Sequence, residues 1–223
     1  MTASDRVRSR LLAAAAEAAG SDRTDDLDVL LERYYRHVAV EDLLDRNPED
    51  LLGAALTHRD LASRHHPGDA AAVRVFTPSV AEQKWSCGHT VVQAVTDDMP
   101  FLVDSVLADL ARQDRRVYLV IHPQLVVRRG EDGSLLEVLD VDPENVSDVE
   151  AAPGEVVDTE SWMHVEVDRE SDQQDLLAMG DRVRTVLGDV RAAVHDWPAM
   201  RGQIIAIADE LDSTPPPASP RPR

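Results

Sequence analysis

Two adjacent carboxylates, Asp97 and Asp98, stand between an apolar run and the segment Met99, Pro100, Phe101, Leu102. Three chemistries are open to such a pair. Either aspartate can cap a helix whose first turn holds Pro100, since a carboxylate accepts from the amides that a helix start leaves unpaired. A tight strand-to-helix loop, rich in free N–H groups and edged by a carboxylate, can instead hold both ends of an amino acid. Asp97, Asp98, Met99, Pro100 and Phe101 are then the ligand-binding residues. A catalytic dyad is the third, and no separate base, nucleophile or oxyanion donor stands near the pair in sequence.

The remaining chemistry-bearing residues are scattered. Cys87 and His89 are two apart, and His58, His65 and His66 fall at the end of a helical pattern. Neither CxxC pairs nor HExxH is present, so no metal site is expected and the histidines read as solvated or capping. His122, before Pro123, and His164, inside a strand pattern, read as packing residues with a satisfied ring nitrogen. No GxGxxG follows a strand and there is no GxxxxGK[ST], so neither a cofactor nor a catalytic residue is expected in this chain.

The elements that must position these residues follow from periodicity, which changes once, near residue 70. Before it, apolar residues recur at three and four: Leu27, Leu30, Leu31, Tyr34, Tyr35, Val38, Val40, Leu43 and Leu44. Asn47, Pro48, Glu49 and Asp50 start a further helix carrying Leu51, Leu52, Leu56 and Leu61. Residues 4–66 are thus three or four helices. After residue 70, strands are expected at "AAVRVFTPS", "HTVVQAVT", 116–129 as one run, and "SLLEVLDV", with "GEDG" turning the last two into a hairpin. An acidic loop spans 142–160, and "SWMHVEVDR" alternates Trp162, His164 and Glu166 against Met163, Val165 and Val167. Helices are expected at 172–197 and 199–212, broken at Pro198. The order gives an α+β fold, a helical N-terminal layer followed by an antiparallel sheet with helices packed on one face.

Composition narrows the partners. The chain of 223 residues has a net charge of −19, with 43% hydrophobic and 29% charged residues, the make-up of a folded domain. One lysine, Lys84, leaves 22 of the 23 basic residues as arginine, with no basic cluster, which argues against nucleic acid. No apolar run reaches the ~18 residues that cross a bilayer. The start imitates a signal peptide, but its alanine-rich run is short, carries Glu17 and has helical periodicity, so a cytoplasmic location is expected. The lone Cys87 fits a reducing compartment, and the sequon at Asn145 is then chance.

Six ordered segments carry a resemblance: "VAVEDLLDRNPEDLLGAALTHRDLASRH", "VRVFTPS", "HTVVQAVTDDMPFLVDSVLADLARQ", "VYLVIHPQLVVRR", "ESWMHVEVDR" and "VRAAVHDWPAM". Over roughly residues 28–212 they resemble the N-terminal region of the large bacterial NAD-specific glutamate dehydrogenases. The resemblance implies a helical segment over 1–68 and an ACT-like, ferredoxin-like regulatory module over 70–212. It also implies an amino-acid effector at the "DDMPF" loop, self-association through the sheet, and a downstream catalytic region that carries the NAD and the catalytic lysine, which Lys84 does not match. Phe101 stands where many relatives have glycine, and a side chain there is expected to fill the ligand space. The family's closing strand is replaced by "RGQIIAIADEL" in helical register.

Residues 213–223, "STPPPASPRPR", have a linker composition, and a weak PxxP match falls at 217–220. The expectation is a fragment or excised domain: a non-catalytic regulatory or assembly part of an enzyme that oxidatively deaminates glutamate to 2-oxoglutarate. The alternatives are a free-standing amino-acid-binding protein acting on a partner, and an enzyme using Asp97 and Asp98.

Overall fold

A computed structural model describes residues 3–63, 68 and 70–213. Four helices come first: α1 (Ala3–Ala18), α2 (Leu27–Tyr34), α3 (Val40–Leu44) and α4 (Pro48–Ala62). Their apolar spacing does what helical periodicity requires. Leu27, Leu30, Leu31 and Tyr34 form one buried face of α2, and Leu51, Leu52, Ala55 and Leu61 face the same core from α4. Leu12, Ala15 and Ala16 of α1 close that core from outside, the small alanines letting the helices approach. Leu44 departs from the pattern and is exposed. His58 is fully buried inside α4 rather than at a solvated end, because it falls on the helix's inner face. His65, His66 and the tail beyond residue 213 lie outside the described residues.

Six strands and two helices follow: β1 (Ala72–Phe76), β2 (Thr90–Asp97), α5 (Leu102–Arg112), β3 (Val117–Ile121), β4 (Gln124–Gly130), β5 (Leu135–Val138), β6 (Glu155–Val167) and α6 (Gln173–Ser213). The strands make one antiparallel sheet in the order β1-β2-β6-β4-β5, with β3 also on β6. The run expected at 116–129 is broken at His122 and Pro123. Proline has no N–H to give the ladder, so β3 and β4 lie in line along one side of β6. Trp162 N–H still donates to Pro123 O across the gap at 3.1 Å. β6 starts at Glu155, earlier than the alternation suggested, since the acidic half of the strand pairs with β4. The "GEDG" hairpin forms between β4 and β5, with Gly133 at φ 79° supplying the left-handed turn residue.

Pro198 does not end a helix. α6 runs through it as one element of 41 residues. Where Pro198 sits, the helix is exposed, so the carbonyl that proline leaves without a donor can be met by water. No strand follows α6 among the described residues.

The sheet is covered on both faces. α5 and α6 pack on one, with Val106, Leu110, Met179, Val183 and Leu187 against Val92, Ala94, Met163, Val165 and Val167. The N-terminal helices pack on the other, against Val95, Leu125, Val127 and Trp162. The alternation of β6 therefore divides two cores, Met163, Val165 and Val167 in one and Trp162 in the other. No described helix is long and apolar enough to cross a membrane.

Candidate functional site

β2 delivers Asp97 and Asp98 to its C-terminal end, where Arg191 of α6 reaches Asp97. Asp98 N–H donates to Thr159 O at 3.2 Å, which carries the β2–β6 pairing one residue further and fixes where the chain turns. Neither aspartate caps α5. The cap position is Phe101, in the left-handed region at φ 72° and ψ 2°, and it makes no side-chain cap bond, nor does any other side chain among the described residues reach the first amides of the helix. The helix starts later than Pro100 suggests, because Asp98 stays tied to the strand and Met99 and Pro100 are spent on the turn.

Each carboxylate is engaged elsewhere. Asp97 Oδ2 lies 3.1 Å from Arg191 Nη2 of α6, and Gly68 N–H donates to its oxygens at 3.3 Å. Asp98 accepts from Gln124 Nε2 at 2.7 Å and from Ser161 Oγ at 2.8 Å. His122 Nε2 is 2.8 Å from the same Ser161 Oγ. Since a carboxylate only accepts, Ser161 spends its proton on Asp98, and His122 must donate to the hydroxyl. Burial, partly offset by Asp98 and reinforced by His37, lowers the pKa of His122. This polarity is the reverse of a base activating a serine, so the His122–Ser161–Asp98 chain braces the loop and does not build a nucleophile.

Phe101 does not fill the loop. Its side chain is 67% exposed. With Pro100 it walls an open groove of about 620 Å³ that continues along α6 past Val190, Val194, Trp197 and Met200. The uncapped amides of α5 and this apolar groove meet at Phe101.

A second polar system lies under the helical layer. His58 Nε2 donates to Ala94 O at 3.1 Å, so its Nδ1 accepts from Tyr34 Oη at 2.9 Å. Burial, helped by the neighbouring His164 ring, pushes the His58 pKa well down and keeps it neutral. Glu166 of β6 has a fully buried side chain and is gripped by Arg46, which reaches in from the α3–α4 turn at 2.6 Å and 2.9 Å. Burial raises its pKa, but His164 and Arg46 outweigh that and hold it at about 2. His164 pairs through Nδ1 with Gln93 Nε2 at 3.3 Å, as a packing histidine should. Its Nε2 has no hydrogen bond and stands 3.5 Å from Glu166 Oε1. Nearby, Arg129 and Glu160 form a wholly buried pair at 2.6 Å, completed by Trp162 Nε1, Gly133 O and Ala62 O.

Cys87 and His89, unconnected by any metal-binding spacing in sequence, meet Glu166 here. One ligand atom from each lies within 4.8 Å of the others. His89 Nδ1 is 3.1 Å from Glu166 Oε2, and its ring stacks on Tyr118 at 4.1 Å. Cys87 Sγ is 3.6 Å from His89 O, and burial with the Glu166 charge raises its pKa to about 11. The partner that sequence could not supply is Glu166, 77 residues from His89, and its only signal was a charged residue on the inward side of an alternating strand.

The family described as "Glutamate dehydrogenase, ACT1 domain" matches residues 30–183. The NAD-specific glutamate dehydrogenase of Halomonas elongata is 34% identical over 212 residues, covering 95% of this chain and 12% of that protein. That of Pseudomonas aeruginosa is 30% identical over 194 residues, covering 87% of this chain and 11% of that protein. The chain thus spans roughly an eighth of the length of these curated relatives.

Proposed function

The chain belongs to the glutamate dehydrogenase ACT1-domain family, and from that membership we propose that it is a non-catalytic regulatory and assembly part of an NAD-dependent glutamate dehydrogenase. The parent reaction is the oxidative deamination of glutamate to 2-oxoglutarate, with NAD and the reacting groups in the remainder of the parent. Residues 1–68 serve as the helical support, 70–212 as the regulatory module and 213–223 as a linker, in a cytoplasmic enzyme. The observation that carries this reading is the match of residues 30–183 to that family, beside a relative nearly eight times as long as this chain.

The loop Asp97–Phe101 is the effector site of this reading. An amino acid places its carboxylate on the uncapped amides of α5, and its side chain extends into the groove walled by Phe101 and Trp197. Asp97 and Asp98, held by Arg191, Gln124 and Ser161, keep the loop in shape. Self-association uses the sheet, whose outer strand β5 leaves Leu136 exposed. The downstream catalytic region is the second partner.

Calorimetry on the purified chain tests the proposal. Titration with glutamate, aspartate, leucine and serine is expected to give saturable heat for at least one, and NAD none. Heat with no amino acid removes the effector role, micromolar NAD binding removes the non-catalytic one, and a strict monomer at high micromolar concentration removes the assembly role.

A further inference from the structure

The loop between β1 and β2 is long and is fixed at one point by a large side chain. Trp85 is buried against Gly53 of α4 so closely that a Cβ at residue 53 would stand 2.4 Å from its ring. That contact sets the position of the next residues, and Cys87 and His89 are brought over Glu166 of β6. We propose that Cys87, His89 and Glu166 form a binding site for a divalent cation of the zinc class.

Four observations carry the assignment. The three donors are a sulfur, an imidazole nitrogen and a carboxylate oxygen, the set a borderline-soft cation takes, and all lie within 4.8 Å of one another. A tetrahedral ion with bonds of about 2.0–2.3 Å needs donors somewhat under 4 Å apart, so small side-chain rotations suffice. Glu166 is held on both oxygens by Arg46, and the buried Nε2 of His164, which has no hydrogen bond, faces it at 3.5 Å. These are groups that orient a ligating carboxylate from behind. The His89 ring is held by its stack on Tyr118, and Cys87 and His89 are only half-buried, which leaves an entry path and a fourth position for water.

Proton balance is simple. The cation replaces the thiol proton of Cys87, which goes to solvent. The imidazole moves from its Nδ1–H form to its Nε2–H form, freeing Nδ1 for the metal. The cation's charge is met by the thiolate and by Glu166, whose pairing with Arg46 is shared and not broken. Bound metal would clip the 77–89 loop and the start of β2 to β6, beneath the turn that carries Arg46.

Cys87 is the chain's sole cysteine, which makes the test specific. Titrating the full chain with Co2+ is expected to give a thiolate-to-metal charge-transfer band that saturates at one equivalent, is displaced by Zn2+, and is accompanied by a rise in Tm. Cys87→Ser should abolish the band. His89→Gln, at a half-exposed position that leaves the core intact, should weaken binding at least about tenfold. Circular dichroism checks that both variants are folded. No band up to millimolar Co2+ overturns the site, as does a band undiminished in His89→Gln, or Zn2+ binding unchanged in Cys87→Ser, which would place the ion on exposed histidines such as His195.

Discussion

The two faces of the same sheet are built from different chemistry. Toward α5 and α6, β6 presents Met163, Val165 and Val167, and β2 presents Val92 and Ala94, against mostly aliphatic partners, with Arg184 and Arg191 of α6 bonding to the carbonyl of Val73 and to Thr96. Toward the N-terminal helices the same strands present Glu160, His164, Glu166 and Gln93 beside Trp162, and every one of these is buried. An aliphatic face tolerates many packings, because dispersion and burial have little direction. A face of buried ion pairs and single-tautomer histidines fits only when each donor meets its acceptor. The helical layer is therefore held in one position on the sheet, while α6 is free to run past the sheet and expose Trp197, Ile204 and Ile207.

Breaking one partner on each face tests that contrast. Glu160→Ala leaves Arg129 buried without its carboxylate and Trp162 Nε1 without its acceptor, and should cost roughly 3–5 kcal/mol. Leu110→Ala, in the aliphatic core, should cost somewhat less, about 3 kcal/mol, and leave a collapsible cavity. Urea denaturation of both variants measures this. Equal losses that also share one pH dependence would erase the distinction between the faces.

Acidification sharpens it further, because the fully buried histidines and Glu166 all lie on the polar face. His58 and His164 have pKa values lowered chiefly by burial, so both stay neutral in the fold while the unfolded chain takes up protons as the pH falls through about 6.5. Their contribution is complete above that pH and is lost below it. Glu166, held at about 2, adds stability above the ordinary carboxylate range that fades between about pH 4.5 and 2. Between pH 6.5 and 5.5 each histidine should remove on the order of 1 kcal/mol. Tm should fall over this range in the unmodified chain and fall less in His58→Gln. A Tm that stays level from pH 7.5 to 5.5 would mean the histidines protonate within the fold.

Aliphatic packing was the legible part. Period-two and helical spacing placed an N-terminal layer of three or four helices, the β4–β5 hairpin and both sides of β6, since burial follows local pattern. Breaks set by single prolines were misplaced in both directions. Pro123 splits a strand run whose apolar residues continue through it, and Pro198 sits inside a helix with solvent to take its missing bond. The polar face was hidden because its partners are distant in sequence: Arg46 with Glu166, Arg129 with Glu160, His58 with the carbonyl of Ala94. Of the three chemistries open to the aspartates, capping was not taken up, for the same reason. Gln124, Ser161 and Arg191, which hold them, lie far along the chain.

The smallest expected effect lies where the two chemistries meet, at the loop that leads from the sheet into α5. Phe101 adopts φ 72°, a conformation that costs a residue with a Cβ about 1–2 kcal/mol relative to the right-handed helix region. Its exposed ring returns little burial for that strain. Phe101→Gly removes the strain but widens the freedom of the unfolded chain by a comparable amount. Tm should thus rise by at most a few degrees, corresponding to under about 1 kcal/mol. The groove tells the two roles of Phe101 apart. If the ring only tolerates its position, Phe101→Gly changes stability alone. If it walls an effector site, the same substitution weakens amino-acid binding by calorimetry while the fold becomes no less stable. A fall in Tm of more than a few degrees would show that the ring packs in a way its exposure conceals, and the strain argument would fail.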